Sequence, residues 1–128
     1  MTSLLDSHTF LWYLWDDPHL SDAARAIIDH EESRCYVSIA SIWEIAIKVS
    51  SGKLALSEPF AQYIPKQLAL NRFDILPIQV VHTAHLVGMT YHHRDPFDRL
   101  IIAQALVENI PILSVDTLFD DYGVQRIW

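Results

Sequence analysis

The chain has 128 residues, 51% of them hydrophobic and 20% charged, with 16 acidic side chains against 9 basic ones for a net charge of −7. That length and apolar content point to one domain that buries about two-thirds of its unfolded surface, and they exclude a disordered chain. The negative charge argues against non-specific binding to duplex DNA, and the single cysteine, Cys35, excludes an internal disulfide and a cysteine zinc site. A reducing cytoplasm suits that cysteine count. No N-terminal basic and apolar pattern suggests a signal peptide, and no apolar run is long enough to suggest a membrane span.

Leu4-Leu5 reads as a short buried strand closed by Asp6, and Phe10–Trp15 as a short helix that Pro18 ends. Ser21 is a good N-cap for a helix reaching about Glu32, with Ala23, Ala24, Ile27 and Ile28 on one side. Cys35–Ser38 is a second strand. Ile39–Ser51 is the clearest helix: Ser41, Glu44 and Lys48 fall at i, i+3 and i+7 and make one polar stripe on an apolar cylinder, which Gly52 stops. Glu58-Pro59 opens another helix, kinked or interrupted at Pro65. Phe73–Ile78 reads as a third strand and Gln79–Met89 as a helix. Asp95-Pro96 opens the last long helix, running to about Asn109. Ile112–Val115 is a fourth strand, Thr117–Asp121 a turn, and Val124–Trp128 a fifth, edge strand. Strands alternating with helices imply a parallel sheet covered on both faces, with its site beyond the carboxyl ends of the strands.

Four acids fall at such positions. Asp6 follows the first strand, Asp116 the fourth, Glu44 lies about a turn into the helix after the second, and Asp98 lies in the first turn of the helix that leads to the fourth. Each has a plain alternative. Asp6 and Asp116 suit N-caps, Glu44 suits an i,i+4 pair with Lys48, and Asp98 suits a capping box behind the N-cap Asp95. Asp98 also heads a stripe with Ile101, Ile102 and Ala105 that should face the core. Two like charges roughly 6 Å apart repel by about 3 kcal/mol at an effective dielectric of 20, so four gathered carboxylates need protons or a cation. An all-oxygen set favours Mg²⁺ or Mn²⁺ over zinc, and the chemistry that follows is metal-assisted phosphodiester hydrolysis.

Four segments carry a resemblance over nearly the whole chain: Leu4–Trp12, Ser38–Lys48, His93–Ala105 and Ile112–Phe119. In that order the sequence resembles the PIN-domain ribonucleases, specifically the VapC-type toxins of toxin–antitoxin pairs. The resemblance implies one PIN-like α/β/α sandwich over residues 1–128, with a central, mostly parallel sheet of four or five strands. It implies an Mg²⁺- or Mn²⁺-dependent ribonuclease with Asp6 and Asp98 as metal ligands, Glu44 and Asp116 as the other two acids, and Ser114 as the supporting hydroxyl. Asp95, one turn from Asp98, is able to exchange roles with it.

The resemblance further implies an RNA substrate, a cognate antitoxin whose tail lies near the acids, and a homodimer. Arg94 and Arg99 flank Asp98 and are the candidate RNA contacts, while Lys48 suits an ion pair equally well. Trp12, Trp15, Trp43 and Phe10 fit an interface better than base stacking. His92 and His93 are read as loop. A haloacid-dehalogenase-like phosphatase would need a second Asp two residues after Asp6, where His8 stands. A DNA nuclease on the same fold is a further alternative. The strongest non-catalytic alternative is an acidic pocket that only receives a basic partner peptide.

Overall fold

The computed structural model describes residues 1–128. The strands are β1 (Thr2–Leu5), β2 (Arg34–Ser38), β3 (Asp74–Leu76), β4 (Ile112–Leu113) and β5 (Arg126–Ile127). The helices are α1 (Ser7–Leu14), α2 (Asp22–Asp29), α3 (Ile39–Ser50), α4 (Phe60–Leu70), α5 (Val80–Val87) and α6 (Pro96–Glu108), with a 3₁₀ helix over Thr117–Tyr122. The five strands form one sheet in the order β3-β2-β1-β4-β5, every pair parallel. None of the helices is long and apolar enough to cross a membrane.

The sheet divides the core in two, and strand alternation decides which residue goes where. Leu5, Cys35, Val37 and Leu113 point to one face, where Phe10 and Leu11 of α1, Ile45 of α3, and Tyr63 and Ile64 of α4 cover them. Leu4 and Ile112 point to the other, against Ile101, Ile102 and Ala105 of α6 and Phe119 of the 3₁₀ helix. The chain is therefore an α/β/α sandwich.

Local chemistry sets the boundaries. Ser21 and Ser38 cap α2 and α3 through their hydroxyls, and Asp95 caps α6 with Pro96 at its first position. Pro77 stops β3 before the expected Ile78. β4 is shorter than expected and ends at Leu113, after which the Ser114 N–H still reaches the Ile127 carbonyl at 3.3 Å while the Ser114 carbonyl accepts from the Arg126 guanidinium at 3.1 Å. Pro65 does not interrupt α4, whose buried Tyr63 and Ile64 hold it to the sheet through the missing N–H. The polar stripe of α3 turns inward: Ser41 and Glu44 are buried, while Trp43 on the other side is 58% exposed. Phe10, grouped by sequence with the interface tryptophans, is a fully buried core residue against Phe73.

The chain leaves β1 towards β2 and β3 on one side and later fills β4 and β5 on the other. The order reverses between β1 and β4, so the crevice at the carboxyl ends of those two strands is the topological switch point where such sheets bind ligands.

Candidate active site

Asp6 follows β1 and is 4% exposed. Its Oδ1 accepts the Thr9 N–H at 2.9 Å, which makes it the N-cap of α1. Its Oδ2 accepts from the Ser114 hydroxyl at 2.6 Å. Burial pushes the carboxyl above its ordinary range, and the bonds from Ser114 and Thr9 pull the other way.

Ser114 has a second task, since its Oγ accepts the N–H of Asp116 at 3.0 Å. One hydroxyl thus ties the carboxylate after β1 to the backbone after β4. Asp116 in turn caps the 3₁₀ helix, with Oδ1 accepting the Leu118 N–H at 3.0 Å.

Glu44 enters from α3. It is 8% exposed, accepts from the Ser7 hydroxyl at 2.6 Å, and lies 3.4 Å from Lys48 Nζ. The i,i+4 pair exists, yet it is not a solvent-facing one. Ser7 went unnoticed in the sequence, where its place directly after Asp6 is the only sign of its role.

Asp98 completes the set from the first turn of α6. Its carboxyl is pushed up to about 8, first by burial and then by the charges of Asp95, Asp6, Glu44 and Asp116. Asp98 therefore feels the other three acids at one end of the sheet, although only Asp116 and His93 bring ligand atoms within 4.8 Å of its own and of each other. Asp98 makes no capping box. The N–H of Asp95 goes instead to Nδ1 of His93 at 3.1 Å. Asp95 spends its Oδ1 on the N–H groups of Phe97 and Asp98, so it is the cap and Asp98 the residue free for chemistry.

Two sequence expectations change here. Arg99, expected to reach RNA phosphates, is 3% exposed and cannot do so. Its guanidinium donates to the carbonyls of Thr90 and Met89 and to the Tyr122 hydroxyl, with the Tyr91 ring 3.9 Å away. The stripe begun by Asp98 carries Arg99 inward with it. Arg94 is exposed, as a phosphate contact requires. His93, read as loop, enters the site: its Nε2 lies 2.9 Å from Asp116 Oδ2 and 3.2 Å from Asp98 Oδ2. The sequence signal was its position two residues before an N-cap, within reach of that cap's N–H.

The donor set fits a hard divalent cation. Ligand atoms of His93, Asp98 and Asp116 lie within 4.8 Å of one another, and a carboxyl held at about 8 by burial and then by neighbouring negative charge is one that a cation would relieve. Beside Glu44 runs a groove walled by Leu11, Trp12, Trp15 and Leu54 and rimmed by Lys48 and Lys53.

The PIN domain family model matches residues 3–125. Ribonuclease VapC16 of Mycobacterium tuberculosis (strain ATCC 25618 / H37Rv) is 39% identical over 61 residues, 48% of this chain and 43% of that protein. The chain thus matches less than half the length of that relative. A chain in the crystal structure of VapBC2 from Rickettsia felis bound to a promoter DNA fragment aligns with a TM-score of 0.69 at 16% identity, over 99% of this chain and 98% of that one. One in FitAcB from Neisseria gonorrhoeae aligns at 0.68 and 20%, over 98% and 96%. One in VapBC-1 from nontypeable Haemophilus influenzae aligns at 0.67 and 18%, over 99% and 97%. At those identities the solved structures speak for the fold.

Proposed function

The chain belongs to the PIN-domain family, and from that membership and the acid cluster we propose that it is a metal-dependent ribonuclease, the toxin of a toxin–antitoxin pair. One observation carries the reading: burial, and then the charges of Asp95, Asp6, Glu44 and Asp116, push the Asp98 carboxyl up to about 8. A fold keeps so unfavourable a cluster at a switch point when a cation is to be bound there.

Asp6 and Asp98 would hold the ion, Mg²⁺ or Mn²⁺, with Asp116 and Glu44 completing the acidic wall. When bound, the cation supplies Lewis acidity at the phosphate and a nucleophile at neutral pH. The chain's own part is positioning. Ser114 fixes the Asp6 carboxylate against the Asp116 backbone. Ser7 holds Glu44 Oε1, which leaves Oε2, beside Lys48, to accept a proton or orient water. Arg94 and the 40% exposed Lys48 are the cations available to RNA phosphates on a chain of net charge −7.

The groove beside Glu44 suits the tail of an antitoxin, with a basic side chain reaching the acids. VapC16 is named a ribonuclease, and the aligned solved structures are named as VapBC and FitAcB; both support this reading. A homodimer and a cytoplasmic location belong to the same proposal.

Purified chain incubated with a broad RNA set should cut it with Mg²⁺ or Mn²⁺, not with chelator, and not as Asp6→Asn. Single-stranded DNA in parallel separates a DNA nuclease. Tight binding of a basic partner peptide with no cleavage of any RNA would replace the proposal with a non-catalytic acidic pocket.

A further inference from the structure

His93 is held in the site by groups outside the four acids as well as by the acids themselves. Its main-chain N–H donates to the Tyr122 hydroxyl at 2.8 Å. Buried Arg99 donates to the same oxygen at 3.1 Å and to the carbonyls of Thr90 and Met89, so it pins both the loop before His93 and the tyrosine that anchors it. The imidazole packs against Phe119, with ring centroids 5.8 Å apart. The ring is therefore aimed, and it is 11% exposed.

Its hydrogen bonds define which nitrogen carries the proton. Nδ1 accepts the N–H of Asp95 at 3.1 Å. An imidazole that accepts at Nδ1 carries its proton on Nε2. That Nε2–H lies between Asp116 Oδ2, at 2.9 Å, and Asp98 Oδ2, at 3.2 Å. For Nε2 to ligate a cation it would have to lose that proton, and the Asp95 N–H would have to turn away from Nδ1. The same spacing of three ligand atoms that suggests a His-Asp-Asp metal set is better filled by an N–H donor shared between the carboxyl oxygens of Asp98 and Asp116.

We infer that His93 is a positioning residue rather than a ligand: its Nε2–H competes with the divalent cation for Asp98 and Asp116 and so sets the cation concentration at which the site fills. The inference rests on the nuclease reading of the acid cluster. Removing the ring removes the donor that occupies Asp98 Oδ2 and Asp116 Oδ2 and leaves both oxygens open to a cation.

The test is calorimetric titration of Mg²⁺, and of Mn²⁺ with its electron paramagnetic resonance signal as a second readout, into the full chain, His93→Ala, His93→Gln and Tyr122→Phe. Thermal unfolding in chelator checks each for folding. His93→Ala should bind both ions roughly tenfold more tightly (about 1.4 kcal/mol) and unfold at a lower temperature in chelator. His93→Gln, which restores a side-chain N–H donor, should return towards the parent affinity. Tyr122→Phe leaves the ring intact but loosens its anchor, so it should tighten binding by less, and it keeps the test alive should His93→Ala not fold.

Weaker binding by His93→Ala, with Mn²⁺ losing more than Mg²⁺, would make His93 a ligand and overturn the inference. Unchanged affinity in all three variants, with the parent binding normally, overturns it alone. A parent chain that binds no divalent cation overturns this inference and the nuclease reading together.

Discussion

Replacing Asp98 with Asn should stabilise the fold while abolishing cleavage. The Asp98 carboxyl is pushed from 3.8 to about 8 in the folded chain. Below pH 3.8 it is protonated folded and unfolded alike and carries no penalty. As pH rises from there through about 8, the unfolded chain gives up the proton first, and the folded chain loses stability relative to it. At about 1.4 kcal/mol per pH unit, the whole interval amounts to about 6 kcal/mol at most. The side chain is 21% exposed, so water and counter-ions screen part of this, and about 3 kcal/mol at pH 8 is the working expectation. For a domain of this size that is about 10 °C in Tm, out of a total stability of about 5–15 kcal/mol. The amide keeps an oxygen for His93 Nε2–H and carries no charge at any of these pH values. Urea unfolding of parent and Asp98→Asn in chelator, from pH 4 to 8.5, should give curves that meet near pH 4 and diverge as pH rises. Added Mg²⁺ should narrow the gap by stabilising the parent more. A variant no more stable than the parent at pH 8, or a difference independent of pH, would refute the argument that the fold holds Asp98 buried among like charges at a cost to stability.

The same displaced proton gives a second expectation. Mg²⁺ binding near pH 7 should release close to one proton, and affinity should rise with pH up to about 8, both measurable by calorimetry in buffers of different ionisation enthalpy. Asp6→Asn should lose at least about a hundredfold in cleavage yet unfold near the parent, because Asn also caps α1, whereas Asp6→Ala should cost about 1 kcal/mol more in urea unfolding. Ser114→Ala removes a donor to Asp6 and an acceptor for the Asp116 N–H, so it should lose about 1–3 kcal/mol by the same assay together with part of the cleavage rate. Arg99 and Arg94 should separate cleanly. Arg99→Met should destabilise by about 3 kcal/mol, while Arg94→Ala should leave stability unchanged and lower the salt slope of RNA binding by about 1.

The sheet was legible because each strand is a short apolar run bounded by a polar or breaking residue, and because strand–helix alternation admits little but parallel pairing. Element ends were legible where a side chain caps, as at Ser21, Ser38 and Asp95. The order of the five strands and the length of β4 were not, since they depend on which backbone groups meet across the sheet, as where the Ser114 N–H reaches the Ile127 carbonyl and the Ser114 carbonyl accepts from the Arg126 guanidinium. In the site, positions after strands singled out the acids. They said nothing of Arg99, whose charge suggests a surface until its carbonyl partners are seen. They said nothing of His93 either, because the direction of a loop is set by what holds it, here a tyrosine 29 residues further along.

Under the proposed function the plain and chemical readings of these acids coincide. Asp6 and Asp116 each commit Oδ1 to a helix N-cap, while Oδ2 accepts from the Ser114 hydroxyl in Asp6 and lies beside His93 Nε2 in Asp116. A capped carboxylate cannot rotate away without unpairing a backbone N–H, so the cap supplies the rigidity that a metal ligand needs. Asp98 differs, because Asp95 does the capping for it, and both of its oxygens stay free of backbone bonds. It is accordingly the acid whose carboxyl responds to all the others. The two roles can be separated by experiment: at Asp6 an Asn keeps the cap and removes the charge, whereas at Asp95 an Asn keeps the cap and, by easing the field on Asp98, should lower the pH at which Mg²⁺ binds without removing a ligand. If Asp95→Asn abolished cation binding as fully as Asp98→Asn, the division of labour between cap and ligand would be wrong.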